Sequence, residues 1–190
     1  TASGLDIEVL STEERRRYEK RPDGRAARVW LRYVVSRYLQ QPPDRWQFVV
    51  GELGKPALRP DAGLQFNLSH SGSWLALVVA TGVEVGVDLQ HNDPDRAVQR
   101  IARRYFSAEE NAQLERAGGR LRPRFYQLWS LKEAWAKARG AALPTALGTA
   151  SFAVEDSRLR CGAAGSDGES LWSFIGEDCS LAVCARAPAL

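Results

Sequence analysis

The sequence predicts an α+β protein, and three observations carry the prediction. Leu128, Leu131, Trp135 and Ala138 recur at spacings of three and four, the period of one buried helix face. Residues 83–90, VEVGVDLQ, alternate cleanly: Val83, Val85, Val87 and Leu89 against Glu84, Gly86, Asp88 and Gln90, the period of a strand. The order strand, two helices, strands, then helices, a further helix and strands occurs twice in outline, with no sequence repeat behind it.

Taken in order, Leu5, Ile7 and Val9 alternate with polar neighbours and predict a short strand in residues 1–10. Ser11 or Thr12 followed by Glu13 and Glu14 predicts a helix start, with acids in the first turn. That helix is short and basic, and Pro22-Asp23-Gly24 breaks it. A longer helix follows over about Arg25 to Gln40 and ends at Pro42-Pro43. Trp46–Val50 is a short strand, and Gly51–Pro60 is rich in turn residues. Gln65–His70 precedes the Ser71-Gly72 turn. Trp74–Ala80 is an apolar strand that Thr81-Gly82 can fold back onto 83–90. A helix carries Ala97, Ile101, Ala102 and Tyr105. The next has Ser107 as cap and Glu110 at the capping-box position, and ends at Gly118-Gly119. Phe125–Arg139 is the helix with the apolar stripe. Residues 141–151 read as a loop. Strands are expected at Ser151–Val154, Ser170–Ile175 and Leu181–Ala185, the first two separated by a Gly- and Ser-rich stretch, 162–169.

Composition narrows the class. The chain has 190 residues, enough for one substantial core or two small ones. No apolar run approaches the ~20 residues of a membrane span. The N-terminal TASGLDIEVLSTEERRR lacks a positive region followed by an apolar block, so no signal peptide is expected and a cytoplasmic location is. Cys161, Cys179 and Cys184 form neither a paired framework nor a metal-ligand spacing, and read as reduced and structural. A net charge of +3 does not define a nucleic-acid binder. Arginines do cluster in 15–37, 96–104 and 116–124, which suits a phosphate-bearing ligand or an acidic protein partner, or else marks solvated helix faces.

Some motifs can be set aside. Ser69-His70-Ser71 suggests a hydrolase, but neighbours along an extended segment point to opposite sides, so His70 cannot serve either serine as a base. There is no nucleophile elbow, Walker loop or dinucleotide fingerprint. Glu133 and Lys137, four apart on a helix, are ordinarily a surface ion pair worth a few tenths of a kcal/mol. The same spacing could also hold an acid and a base, or a metal ligand and a phosphate clamp, at fixed separation. Asp88 supplies a second carboxylate from another element, and two carboxylates with waters and substrate phosphates are what Mg²⁺ needs. Asp88 and Gln90 project from one strand face about 7 Å apart. Gln90 could add a neutral oxygen or hold a water. Lys55 and His70 could meet one phosphate.

Five segments together carry a resemblance. Gly54-Lys55-Pro56, Phe66-Asn67-Leu68-Ser69-His70-Ser71-Gly72, Gly86-Val87-Asp88-Leu89, Phe106-Ser107-Ala108-Glu109-Glu110 and Trp129-Ser130-Leu131-Lys132-Glu133-Ala134-Trp135-Ala136-Lys137 resemble, in order and spacing, the motifs of Sfp-type 4′-phosphopantetheinyl transferases, in the subgroup with Trp and Lys-Glu-Ala in its last motif. The resemblance covers roughly residues 12–145. It implies two similar α+β halves related by a pseudo-twofold axis, here 1–90 and 91–190, with the active site at their interface. It implies transfer of 4′-phosphopantetheine from coenzyme A to a serine of an apo acyl or peptidyl carrier protein, leaving adenosine 3′,5′-bisphosphate.

Carried over by motif, Lys55 and Pro56 would border the adenine and 3′-phosphate. Ser69 and His70 would contact phosphates, with Asn67 shaping the turn. Asp88 and Glu133 would bind Mg²⁺, and Lys137 would contact the pyrophosphate and neutralise the leaving group. A serine needs a base to take its proton, and Glu133, directly or through a metal-bound water, is the available one. Arg15, Arg17 and Arg25 are the candidates for the 3′-phosphate. The chain departs from many members at Gln90, where they carry a second acid two residues after the Asp. Gln90 could then reach the metal only weakly or through a water, so more falls on Glu133. The resemblance further implies an acidic carrier partner in a transient complex, no nucleic acid, no membrane, and a monomer. The rival readings are a coenzyme A binder whose metal site has decayed through Gln90, and a Mg²⁺-dependent phosphatase or nuclease.

Overall fold

In a computed structural model of the chain, residues 6–51, 55–155, 158–162 and 168–187 are described. The chain divides into two compact units, one of Thr1–Gly51 with Pro56–Gly63, the other of Glu52–Lys55 with Leu64–Leu190. This division differs from the expected halves 1–90 and 91–190.

In the first unit, the stretch expected as a strand is a 3₁₀ turn at Ile7–Val9 (Leu5 lies outside the described residues). Asp6 overrides the alternation: its carboxylate accepts the Glu8 N–H at 3.0 Å and starts the turn. Helix α1, Thr12–Arg17, begins at the predicted cap, with Ser11 and Glu14 forming a reciprocal capping box. Helix α2, Pro22–Leu39, starts three residues before the expected Arg25, because Pro22 occupies its first position, where the missing N–H costs nothing. Strands β1, Gln47–Val50, and β2, Pro56–Arg59, pair antiparallel, and β2 lies in a stretch expected as turn. Glu14 draws two arginines of α2 inward. Arg32 grips it at 2.6 and 3.0 Å and Arg28 lies at 3.3 Å, and both guanidinium groups lie over the Phe48 ring.

In the second unit, β3, Leu64–Ser71, and β4, Trp74–Thr81, form a hairpin closed by Gly72-Ser73, where Gly72 adopts φ +57°. Strand β5, Glu84–His91, does not fold back into a ladder with β4. It pairs with β9, Cys179–Arg186, which pairs in turn with β8, Ser170–Ile175, in the order β5-β9-β8. The other edge of β5 faces β3 and is satisfied by side chains. Asn67 Oδ1 accepts the Val87 N–H at 2.9 Å, Ser69 Oγ that of Leu89 at 3.2 Å, and Ser71 Oγ that of His91 at 2.8 Å. Asn67, Ser69 and Ser71 thus stand in for a strand's carbonyls.

Helices α3, Val98–Tyr105, and α4, Ala108–Arg116, follow, the latter capped by Ser107 and Glu110 as the sequence predicts. A 3₁₀ turn at Gly118–Arg120 leads into α5, Leu121–Ala138, four residues earlier than expected. Residues 143–149, expected as loop, form helix α6, Leu143–Thr149. Strand β6, Phe152–Glu155, pairs with β7, Arg158–Cys161, which the hydropathy pattern did not reveal. The edge of β6 is again sealed by side chains: Glu110 and Gln113 accept its N–H groups, while Gln113 and Arg124 donate to its carbonyls. No disulfide joins the three cysteines, and burial pushes Cys184 up to about 11. Among the described residues no helix is long and apolar enough to cross a membrane.

Helix α5 is the core of this unit. Leu128, Leu131 and Ala138 have no exposed surface and Trp135 is buried, as the stripe predicts. Burial extends round most of the helix, however, including Lys132 and Ser130. Phe106, Phe125 and Trp129 stack in series at 5.3 and 5.8 Å between centroids.

Candidate functional site at the β5–α5 contact

Gly86 builds this site by what it lacks. A Cβ there would come within 2.1 Å of the Ala134 carbonyl oxygen and 2.4 Å of the Ala138 nitrogen. The two backbones touch, so side chains flanking the contact meet at short range. Asp88, two residues on along the same strand face, is 1% exposed. Lys137, one residue before Ala138, reaches it.

Both oxygens of the Asp88 carboxylate accept hydrogen bonds. Lys137 Nζ donates to Oδ1 at 2.6 Å, the Ser69 hydroxyl donates to the same oxygen at 3.0 Å, and Gln90 Nε2 donates to Oδ2 at 2.8 Å. Lys137 Nζ also donates to Ser69 Oγ at 3.1 Å, which uses the last acceptor capacity of that hydroxyl. Glu133 stands on the other side of the lysine, with Oε2 3.9 Å from Nζ and Oε1 accepting from Trp129 Nε1 at 2.8 Å. Burial, and after it the charge of Asp88, pushes the Glu133 carboxyl up to about 7, while Lys137, Trp129 and Arg96 pull the other way. A carboxyl with that value changes protonation near neutral pH, as a general base should.

Asp88, Glu133, Lys137, Gln90 and Ser69 are therefore brought together. Ser69 is buried against Asp88. Asn67 shapes no turn: it lies in mid-strand and holds the β5 backbone. His70 is exposed on the face of β3 opposite Ser69, so alternation separates the two phosphate candidates. Lys55 Nζ donates to the Val85 carbonyl at 3.2 Å, at the start of β5, and burial lowers its pKa. Gly54 lies outside the described residues, and Pro56 opens β2 of the first unit.

In the first unit, Arg15 and Arg25 line a cleft of about 350 Å³ with Arg16, Ile7 and Glu19. Arg17, the third candidate, is not among the lining residues. Arg15 is also spent locally, donating to the carbonyls of Leu10 and Glu8. Of the later arginines, Arg96, Arg100 and Arg122 line one cleft of about 420 Å³, and Arg96 lies over the Trp129 and Tyr126 rings. Arg116 and Arg124 line another.

Sequence reasoning missed Lys132 and Glu110 as a pair. Both side chains are fully buried with Nζ and Oε2 3.0 Å apart. Lys132 also donates to the carbonyls of Leu147 and Ala150, and Glu110 accepts the N–H groups of Ser107 and Phe152. The available signal was that Lys132 stood inside the last motif with no role there, while Glu110 was read as a capping residue alone.

A metal must take what this site offers. Among the described residues no three His, Cys, Asp or Glu side chains cluster for one. Two carboxylates do face one point, and Mg²⁺ in phosphate chemistry is held by one or two carboxylates with substrate oxygens and waters completing the shell. The donor set fits that ion.

Comparison with known proteins decides the family. The family model described as the 4′-phosphopantetheinyl transferase superfamily matches residues 84–184, from β5 through most of β9. The chain belongs to the 4′-phosphopantetheinyl transferase superfamily. It is 33% identical over 168 residues to a phosphopantetheinyl transferase of a Thraustochytrium species, a match covering 77% of this chain and 58% of that protein. To the 4′-phosphopantetheinyl transferase AcpT of Salmonella typhimurium it is 38% identical over 126 residues, covering 63% and 62%. To a 4′-phosphopantetheinyl transferase of Bacillus pumilus it is 32% identical over 168 residues, covering 85% and 70%. The chain thus spans about three-fifths of the length of the first two transferases. The stretch matched by the superfamily model contains Asp88, Gln90, Glu133 and Lys137, the polar cluster at the β5–α5 contact.

Proposed function

We propose that this chain transfers the 4′-phosphopantetheine group of coenzyme A to a serine of an apo acyl or peptidyl carrier protein, giving the holo carrier and adenosine 3′,5′-bisphosphate. The observation that carries the reading is the placement of Asp88, Lys137 and Glu133 around one point where β5 and α5 touch. Family membership supports the chemistry, and the proposed co-substrate is coenzyme A.

In this reading Glu133 takes the proton of the carrier serine, whose oxygen then bonds to the phosphorus bearing pantetheine. The bond from that phosphorus to the bridging oxygen of the diphosphate breaks, and the electron pair leaves with adenosine 3′,5′-bisphosphate. Lys137 meets the charge that grows on the leaving phosphate. Asp88 and Glu133 would hold a Mg²⁺ ion, which when bound neutralises diphosphate charge. Gln90 orients Asp88 through its amide rather than adding a charge. Lys55 and Pro56 border the adenine and 3′-phosphate, His70 serves the phosphates while Ser69 holds Asp88, and Arg15 or Arg25 meets the 3′-phosphate.

The cleft of Arg96, Arg100 and Arg122 receives the acidic carrier in a transient complex, and the protein works as a monomer in the cytoplasm. Two like halves, 1–90 and 91–190, remain part of the proposal, supported by the same order of helices before strands in each. The test is Glu133→Gln. Transfer, read as the mass shift of a carrier protein, should be lost while coenzyme A still protects against thermal unfolding. Full transfer by that variant refutes the assignment.

A further inference from the structure

We propose that Lys137 is a latch on the metal site: its ammonium occupies Asp88 and keeps a divalent cation out until the diphosphate of the substrate draws it away. The inference rests on the transferase reading for the identity of that diphosphate, and on the structure for the latch.

Both oxygens of Asp88 already have donors, Lys137 and Ser69 on Oδ1 and Gln90 on Oδ2. A cation binding Oδ1 must displace one of its two donors. Lys137 makes the shortest of the three contacts, 2.6 Å, and alone among these donors carries a positive charge that repels the incoming ion. It also stands between the two carboxylates that the cation would bridge, within 3.9 Å of Glu133 Oε2. With neutral Gln90 in place of a third acid, Asp88, Glu133 and Lys137 sum to one net negative charge at most. The free protein is therefore a poor divalent-cation site.

The lysine can leave, because its side chain is 29% exposed whereas that of Asp88 is 2% exposed. Its four-carbon stem swings from the last turn of α5 without moving the helix. A diphosphate offers Nζ more than one negative charge against the single charge of Asp88, and its departure uncovers Oδ1 as a second charged ligand arrives. Cation and co-substrate then bind cooperatively, each favouring the state in which Lys137 has left Asp88.

Mn²⁺ is a suitable probe, counted as free ion by electron paramagnetic resonance, with folding checked by thermal melting. The free wild-type protein should bind Mn²⁺ weakly and gain affinity when coenzyme A is added. Lys137→Met should bind Mn²⁺ at least about tenfold more tightly than wild type without coenzyme A, and coenzyme A should add less in that variant. Lys137→Arg, which keeps the charge, should stay weak. Adding Asp88→Asn to Lys137→Met should abolish the gain. Equal or weaker Mn²⁺ binding by Lys137→Met, or a gain that survives Asp88→Asn, overturns the latch. A wild type that transfers while Lys137→Met gains nothing loses the latch and keeps the transferase. A tenfold gain in a protein that never modifies a carrier does the reverse.

Discussion

Replacing Lys132 by Met tests how the buried pair holds α5. Methionine fills nearly the same volume, so little cavity forms and the loss is electrostatic. Lys132 and Glu110 have no exposed surface. Without the ammonium, Glu110 keeps two backbone donors, Ser107 N–H at 2.8 Å and Phe152 N–H at 3.0 Å, but no counter-charge. The carbonyls of Leu147 and Ala150 lose their lysine donor as well. Removing one partner of a buried pair costs about 3–5 kcal/mol, since an uncompensated charge stays behind. The expected loss is of that size, a large part of the roughly 5–15 kcal/mol that holds a domain together. Urea denaturation should show the midpoint falling with the slope unchanged. The double variant Lys132→Met/Glu110→Gln should recover much of the loss, because no charge is then stranded. A single variant within about 1 kcal/mol of wild type, or a double variant as unstable as the two single losses summed, would refute the idea that this pair acts as a unit.

Other outcomes follow from the same contacts. Gly86→Ala should destabilise the fold by about 1–3 kcal/mol or more and abolish transfer, since a methyl 2.1 Å from the Ala134 carbonyl oxygen must push α5 off β5; a fully active variant would contradict the close approach. Glu133 gives the metal-free protein a pH signature. Its folded pKa is about 7, above the ordinary carboxyl value. The folded state therefore binds the extra proton, and stability falls as pH rises from the ordinary value through 7. Thermal midpoints should show this fall, and Glu133→Gln should flatten it. Reversing the charge of Arg96 and Arg100 should slow carrier modification at low salt and leave coenzyme A binding unchanged, read from initial rates against ionic strength.

How far the sequence can be read is clearest at NLSHSG, 67–72. Alternation correctly makes it extended and rules out a Ser–His dyad. It cannot say which face does what, because that depends on a partner some twenty residues away. The structure gives Asn67, Ser69 and Ser71 to the backbone of β5 and leaves His70 exposed on the other face. The caps at Ser11 and Ser107 were legible because their chemistry is local, within three residues. The partner of β5 was not: β9 lies some ninety residues on, and no local pattern names it. Pro22 misled, since a proline that stops one helix can open another.

The site shows the same split. Asp88, Glu133 and Lys137 could be picked out by residue type and spacing, but their geometry turns on Gly86, read only as the polar-face residue of an alternating strand. The missing side chain lets α5 sit on β5, so that a lysine from the last turn of the helix reaches a carboxylate buried in the strand. That closeness also creates the problem the chain must solve. Two carboxylates drawn together in a half-buried place raise the cost of ionising the second, and Glu133 records it. Lys137 relieves part of that cost in the free protein, and a divalent cation relieves it more fully when a diphosphate engages the lysine. Gln90 decides how strong the competition is. An acid there would add a third negative charge and tilt the site toward the cation, so Gln90→Glu should tighten Mn²⁺ binding by the free protein even with Lys137 in place. If that variant binds Mn²⁺ no better than wild type, charge is not what limits the site, and occupation of Asp88 Oδ1 by Lys137 and Ser69 must be.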